Sequence, residues 1–308
     1  MRGDASVRVA RVKDLIVVAG EVGQALADRR AVVALETTLI AHGFPAGEGV
    51  AVGLESERRV REAGAVPATV GILDGRLRIG LAEHEFERFD ADARKVGPRD
   101  LAAAIVQEAV GATTVGGTLA ACRAVGIGFM GTGGLGGVHR GFPAPPDVSA
   151  DLGELIRTEA LIVSSGVKSI LDVPATVELL ETLGVPVLGF RTDDLPLFYA
   201  AHGGPPVSAR VESAAEAARI ARAHWQLGRH TSILLGRPAT ESLDDVEPLI
   251  ERALADAHAQ GVAGQNVTPF VLSYLHRESG GRTLTANRDL IADNAHLAAE
   301  VAVAYAAL

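Results

Sequence analysis

Short aliphatic runs alternate with longer amphipathic stretches along most of the chain. Residues 31–35 (AVVAL) make an unbroken apolar run of strand length that ends in the polar turn Glu36-Thr37-Thr38. A helix is predicted over 48–63, where charged residues crowd one side and Gly64 supplies a C-terminal stop. Residues 69–73 and 76–79 flank Asp74-Gly75, a dipeptide suited to the turn of a hairpin. Another helix starts at Arg99 or Asp100 and runs through Ala109. The apolar run 127–130 empties into a glycine-rich loop, 131–141, followed by Pro143, Pro145 and Pro146. The segment from Asp147 to Asp151 opens a helix, 161–165 reads as a strand, and Gly166-Val167-Lys168 follows at once. A helix over 176–183 ends at Gly184, 186–190 is a strand, and long helices fill 214–227, 243–260 and 287–307. Such alternation predicts an α/β fold, a sheet with helices on both faces. With no internal repeat and no Pro/Ser linker, residues 1–308 are expected to form a single domain.

Composition narrows the function classes. The chain is 48% hydrophobic, only 4% aromatic, and holds 35 glycines in 308 residues. Aliphatic residues spread through a non-repetitive sequence exclude collagen-like and disordered readings. A net charge of −9 repels phosphodiester backbones, so no nucleic acid polymer is expected as partner. The single cysteine, Cys122, allows neither an internal disulfide nor a cysteine metal cluster. The first 13 residues carry no signal-peptide pattern and no apolar run is long enough for a bilayer, so the expected location is cytoplasmic, without membrane.

Ligands of open α/β sheets gather at the carboxyl ends of strands, and four polar features follow strands here. The loop 131–141 resembles neither a Gly-Lys-Ser/Thr phosphate loop nor a dinucleotide fingerprint, which argues against ATP and nicotinamide. Its glycines would let backbone amides approach a small anion, or they simply make a flexible turn. Lys168 directly follows an apolar strand; burial favours a neutral, nucleophilic amine, whereas a helix N-terminal lysine would face solvent or phosphate. Glu36 is either a general acid or base raised by burial, or a turn cap. Asp147 and Asp151 are either oxygen ligands for a hard divalent ion or acidic residues favoured at a helix start. His42 and His139 lack zinc spacing.

Taken together, these residues resemble one family, the pseudouridine-5′-phosphate glycosidases or indigoidine-synthase-A-like proteins. The matching segments run in order through nearly the whole chain: 34–43 (ALETTLIAHG), 64–69 (GAVPAT), Ile79-Gly80-Leu81, Lys95-Val96 with Arg99-Asp100-Leu101, 111–115 (GATTV), 132–140 (TGGLGGVHR), 147–152 (DVSADL), 166–172 (GVKSILD), Thr268-Pro269-Phe270 and Asp293-Asn294-Ala295. The resemblance implies a three-layer α/β/α sandwich with a largely parallel or mixed central sheet, assembled as a homotrimer. It also implies reversible cleavage of the carbon–carbon bond of pseudouridine 5′-phosphate to uracil and ribose 5-phosphate, in nucleotide catabolism. In such a reaction the ribose ring opens and C1′ is trapped on a lysine as a Schiff base. By position the nucleophile is Lys168 and the proton donor Glu36. One divalent ion, manganese, falls at Asp147, with no nicotinamide, flavin or zinc. Lys95, the backbone at Val115, and Ser149, Ala150 and Asp151 fall at substrate-binding positions, with Thr132, His139 and Asn294 as further contacts.

The chain departs from the family pattern at three places. Gly97-Pro98 stands where Ser-Arg is common, Ala46-Gly47-Glu48 replaces the usual residues after Pro45, and Gly116-Gly117 replaces an Ala/Ser-bearing pair. These changes bear on base preference and leave open a related C-nucleoside 5′-phosphate in pigment or antibiotic metabolism. A non-catalytic phosphosugar-binding protein is the rival from another class.

Overall fold

The computed structural model describes residues 15–140, 147–243, 245–262 and 264–308. Lys13 and the stretch before it, and Pro143, Pro145 and Pro146, lie outside the described residues. The main sheet has the strand order β1 (Ile16–Val18), β4 (Arg76–Ile79), β3 (Val66–Leu73), β2 (Val32–Glu36), β7 (Phe129–Gly131), β9 (Leu161–Ser164), β13 (Ile233–Gly236), β11 (Val187–Phe190) and β12 (Ala209–Val211). Two further strands, β5 (Arg94–Val96) and β6 (Gly111–Thr113), join it through pairing of β6 with β3. From β2 to β12 every pairing is parallel, whereas β3 is antiparallel to β4 and β6. A separate antiparallel pair joins β8 (Val138–His139) to β10 (Leu171–Asp172).

The helices are α1 (Gly20–Ala27), α2 (Thr38–His42), α3 (Glu48–Glu62), α4 (Leu101–Val106), α5 (Val115–Val125), α6 (Ala150–Leu155), α7 (Val173–Thr182), α8 (Ala214–Gln226), α9 (Glu247–Ala259), α10 (Val267–Glu278) and α11 (Arg282–Ala306). Side chains alternate across a strand, so an all-aliphatic strand needs cover on both faces. In β2, Val32 and Ala34 enter one core while Val33 and Leu35 enter the other. Strands β9 and β13 divide likewise: Ile162 and Leu234 go to the first core, Leu161, Val163, Ile233 and Leu235 to the second. Helix α5 closes the first core through Val115, Leu119 and Cys122. Ala217, Ala218 and Ala221 of α8, with Leu297, Ala298 and Val301 of α11, close the second. This is the three-layer α/β/α sandwich.

The hairpin at Asp74-Gly75 is present, both residues having positive φ (53° and 68°) and β3 pairing β4 from Val70↔Ile79 to Leu73↔Arg76. Elsewhere the boundaries moved. The helix expected from Arg99 or Asp100 is a 3₁₀ turn, Pro98–Asp100, followed by α4, which stops at Val106. Pro174 stands in the first turn of α7, a position that needs no amide, so that helix starts three residues before the expected 176. Helix α11 starts five residues before the expected 287, after Gly281 at φ 86°.

Candidate active site

Strands β2, β7 and β9 are parallel neighbours, so the residues that follow them converge at one end of the sheet. Glu36 is the last residue of β2, Thr132 comes directly after β7, and the turn from Ser165 to Lys168 follows β9. Gly166 makes this turn possible: it has φ 81°, and the Pro196 carbonyl occupies the space of any Cβ there. Lys95 arrives from the side on β5. The tandem Thr37-Thr38 fixes Glu36 against that side of the sheet. Thr38 Oγ1 donates to the Thr113 carbonyl at 2.7 Å, and Thr37 Oγ1 accepts from the Thr113 amide at 2.8 Å. Since Thr113 belongs to β6, which pairs with β5, the two threonines lock Glu36 and Lys95 into one frame. Asp151 sits in the first turn of α6, capped by Ser149, whose Oγ accepts the Asp151 amide at 3.2 Å.

These elements enclose a cavity of about 520 Å³ lined by Glu36, Lys95, His139, Asp147, Asp151 and Lys168. Only three of the 29 basic residues in the chain are lysines, Lys13, Lys95 and Lys168, and two of the three share this cavity. Arginine cannot lose its proton in a protein, whereas lysine becomes a neutral amine when burial disfavours its charge. Burial, reinforced by the charge of Lys168, brings Lys95 down to about 8. Burial drives Glu36 the other way, up to about 7, although the charge of Lys168 and a hydrogen bond from Thr132 Oγ1 oppose the rise. A carboxyl group in this range exchanges a proton near neutrality. Behind it, Asn294 Nδ2 donates to the Thr132 carbonyl at 2.9 Å and to Ser165 Oγ at 3.1 Å, joining α11 to the ends of β7 and β9. Asp151 is bound by backbone: its carboxylate accepts the Gly116 amide at 2.8 Å and the Gly136 amide at 3.1 Å. His139 Nδ1 stands 3.7 Å from Asp147 Oδ2, and burial holds the imidazole below its usual value despite that carboxylate.

The glycine loop differs from the anion cradle considered from sequence. Its described glycines are absent from the positive-φ residues, and its amides are largely committed: Leu135 to Gly166, Gly136 to Asp151, Val138 to Thr176 and His139 to Asp147. The glycines serve close packing instead. A Cβ on Gly131 would stand 2.8 Å from Ala295 Cα, and one on Gly134 2.6 Å from Phe198 Cδ2. Close packing also links two of the departures noted above, because a Cβ on Gly116 would stand 3.0 Å from Pro98 Cγ.

Glu36, Lys95, Asp147, Ser149, Ala150, Asp151 and Lys168 thus share one cavity, as does His139. Val115 does not line it; its side chain is in the core, and the adjacent Thr114 faces the cavity. Thr132 and Asn294 stand behind Glu36. Thr38, Thr114 and Thr268 also line the site, although the sequence assigned none of them a role there. The tandem Thr37-Thr38 after the strand-end carboxylate Glu36 was the available signal for Thr38. A larger cavity of about 680 Å³ lies across Leu171; it is lined chiefly by apolar residues and contains neither lysine nor Glu36. Among the described residues no group of three or more His, Cys, Asp or Glu is arranged to hold a metal ion. A cation here would rest on Asp147, whose carboxylate is 40% exposed, with water completing its shell.

The sandwich and its lysine–carboxylate cavity define an α/β enzyme. The sequence pattern of the "Indigoidine synthase A like protein" family matches residues 21–304, and the chain belongs to that family. It is 45% identical to a pseudouridine-5′-phosphate glycosidase of Nocardioides sp. over 96% of this chain and 98% of the relative. It is 48% identical to one of Chloroflexus aurantiacus over 93% and 97% of the two chains. Among solved structures, the prealnumycin C-glycosynthase AlnA in complex with ribulose 5-phosphate superposes with a TM-score of 0.85 at 42% identity, covering 95% of this chain and 97% of that one. An indigoidine synthase A-like protein from Thermotoga maritima gives 0.84 at 37% identity over 94% and 96%.

Proposed function

We propose that this enzyme cleaves the C–C glycosidic bond of pseudouridine 5′-phosphate, yielding uracil and ribose 5-phosphate, in the catabolism of the modified nucleotide in the cytoplasm. The observation that carries the proposal is Glu36, a buried acid near neutrality, in one cavity with Lys168 and Lys95. An ordinary glycosidase protonates a leaving oxygen or nitrogen, but here the leaving atom is carbon. The ring opens when the C1′–O4′ bond breaks with its electron pair on O4′, which takes a proton. Electrons from the uracil ring then form a C5=C1′ double bond. The Lys168 amine adds to C1′, returns that pair to the ring and gives up one N–H proton to water, which restores its lone pair. Glu36 protonates uracil C5, and the C1′–C5 bond breaks with its pair entering the pyrimidine. The nitrogen lone pair closes a C1′=N iminium at the same time. Water hydrolyses the iminium to ribose 5-phosphate and free Lys168.

Lys95 would bind the phosphate, while Ser149, Ala150 and Asp151 orient the sugar. The Asp151 carboxylate is held in place within this cavity by the Gly116 and Gly136 amides. Asp147 would hold a divalent ion, manganese by resemblance; a single carboxylate with water suits a hard cation, which when bound supplies positive charge to substrate oxygens. The assembly proposed is a homotrimer. Half-exposed Leu15 lines an apolar hollow with Leu77, Leu101 and Ile105, a surface that supports association with further copies.

A second reading keeps the sugar phosphate and changes the base. It is favoured by AlnA's being a C-glycosynthase in complex with ribulose 5-phosphate, and by Gly97 at the cavity edge, where a Cβ would meet nothing closer than 3.6 Å. Uracil release from pseudouridine 5′-phosphate, followed beside release from related C-nucleoside phosphates, decides between the readings. No uracil release would overturn the first.

A further inference from the structure

The turn that carries Lys168 is overlaid by a strap, residues 195–200, that the substrate chemistry does not use. Leu197 forms a bridge with Gly166, Phe198 donates its amide to the Ser165 carbonyl at 2.8 Å, and the Pro196 carbonyl presses on Gly166. Phe198 is held at φ 62°, a left-handed conformation that is an outlier for a bulky side chain. That strain brings the ring to one place. A Cβ on Gly134 would stand 2.6 Å from Phe198 Cδ2 and 3.2 Å from Lys168 Cγ, so ring and lysine stem meet over the same bare glycine. Tyr199 backs the ring edge-on, the two centroids 4.7 Å apart. The lysine backbone is already fixed, because its amide donates to the Leu135 carbonyl at 3.1 Å. What remains free is a flexible four-carbon stem, and attack on C1′ needs its nitrogen in one position.

We propose that Phe198 is a positioning residue for Lys168: its ring, seated over Gly134, walls the stem and aims the amine into the cavity. The proposal rests on the reading of Lys168 as nucleophile. It accounts for a glycine at 134 with an ordinary φ and for a strained phenylalanine at 198. Phe198 does not line the catalytic cavity, so it acts through Lys168 rather than through substrate.

The test is borohydride trapping of ribose 5-phosphate, read beside kcat and KM, in four variants: Phe198→Leu, Phe198→Gly, Gly134→Ala and the double variant Gly134→Ala/Phe198→Leu. Glycine at 198 relieves the backbone strain while removing the ring, and leucine retains apolar bulk if the glycine variant fails to fold. Both single substitutions at 198 are expected to lower kcat and the trapping rate on the order of 10- to 100-fold with KM unchanged. Gly134→Ala lowers both by forcing ring and stem apart, and the double variant recovers part of that loss. Trapping at the unsubstituted rate in folded Phe198→Leu, or a double variant no better than Gly134→Ala, would overturn the proposal. An active unsubstituted protein with no adduct on Lys168 would instead overturn the nucleophile reading beneath it.

Discussion

The Thr132 hydroxyl donates its hydrogen to the Glu36 carboxyl, so the proposed proton donor is tied to the neighbouring strand end rather than to solvent. This bond favours the ionised carboxylate and opposes burial, which raises the group to about 7. Thr132→Val removes the bond at nearly constant volume and lifts Glu36 further. Activity that needs the protonated acid falls as pH rises through its pKa. The alkaline limb of kcat/KM attributable to Glu36 is therefore expected to move to higher pH in Thr132→Val and to stay in place in Thr132→Ser.

Glu36 should also cost stability. Its folded value, about 7, lies above the ordinary 4.5, so the folded protein retains a proton that the unfolded chain has lost in that interval. Stability is full below about 4.5 and declines as pH rises to about 7. Glu36→Gln removes this decline. Denaturant titrations should find the variant inactive yet more stable above neutrality, by on the order of 3 kcal/mol, with the difference vanishing in acid.

Lys95 sets a second pH dependence. Burial and the charge of Lys168 bring it to about 8, so the free enzyme loses this cation as pH rises through that value. Binding of ribose 5-phosphate should weaken across the same interval, whereas ribose should bind without that dependence. Lys95→Met should weaken ribose 5-phosphate binding on the order of 10- to 100-fold and abolish the pH dependence, as titration calorimetry would read.

The long aliphatic strand at 31–35, the Asp-Gly hairpin and the carboxyl-end positions of Glu36 and Lys168 were legible because periodicity and turn chemistry are local signals. Strand β5, which delivers Lys95, was not: three residues, Arg-Lys-Val, carry no recognisable period. Helix α5 was hidden by Gly116-Gly117, which argue against a helix in isolation. The fold requires the pair, because a Cβ at 116 would crowd Asp151 and one at 117 the Val96 carbonyl. The glycine loop was visible, but its purpose was not, since close approach to Ala295 and Phe198 is a tertiary requirement. Glu36 and Lys168 were expected together from their places after strands, whereas Lys95, and Asp151 as a substrate contact, were brought to them by the resemblance alone, since neither carries a local pattern that points to that role.

Asp147 offers the metal test. Chelation should lower turnover, and added manganese should restore it in the unsubstituted protein but not in Asp147→Ala. Calorimetric titration of manganese should find one binding event per chain, lost in that variant, because a single carboxylate with water holds the ion.

In the proposed reaction C1′ of the sugar becomes bonded to Lys168. Borohydride reduction of the enzyme with ribose 5-phosphate, followed by peptide mass spectrometry, reads this directly, and only Lys13, Lys95 and Lys168 compete as side-chain amines. The expected product is a single reduced ribose 5-phosphate adduct on Lys168, absent from Lys168→Ala. An adduct confined to Lys95, or catalytically active protein that yields no adduct, would rule out Lys168 as the nucleophile.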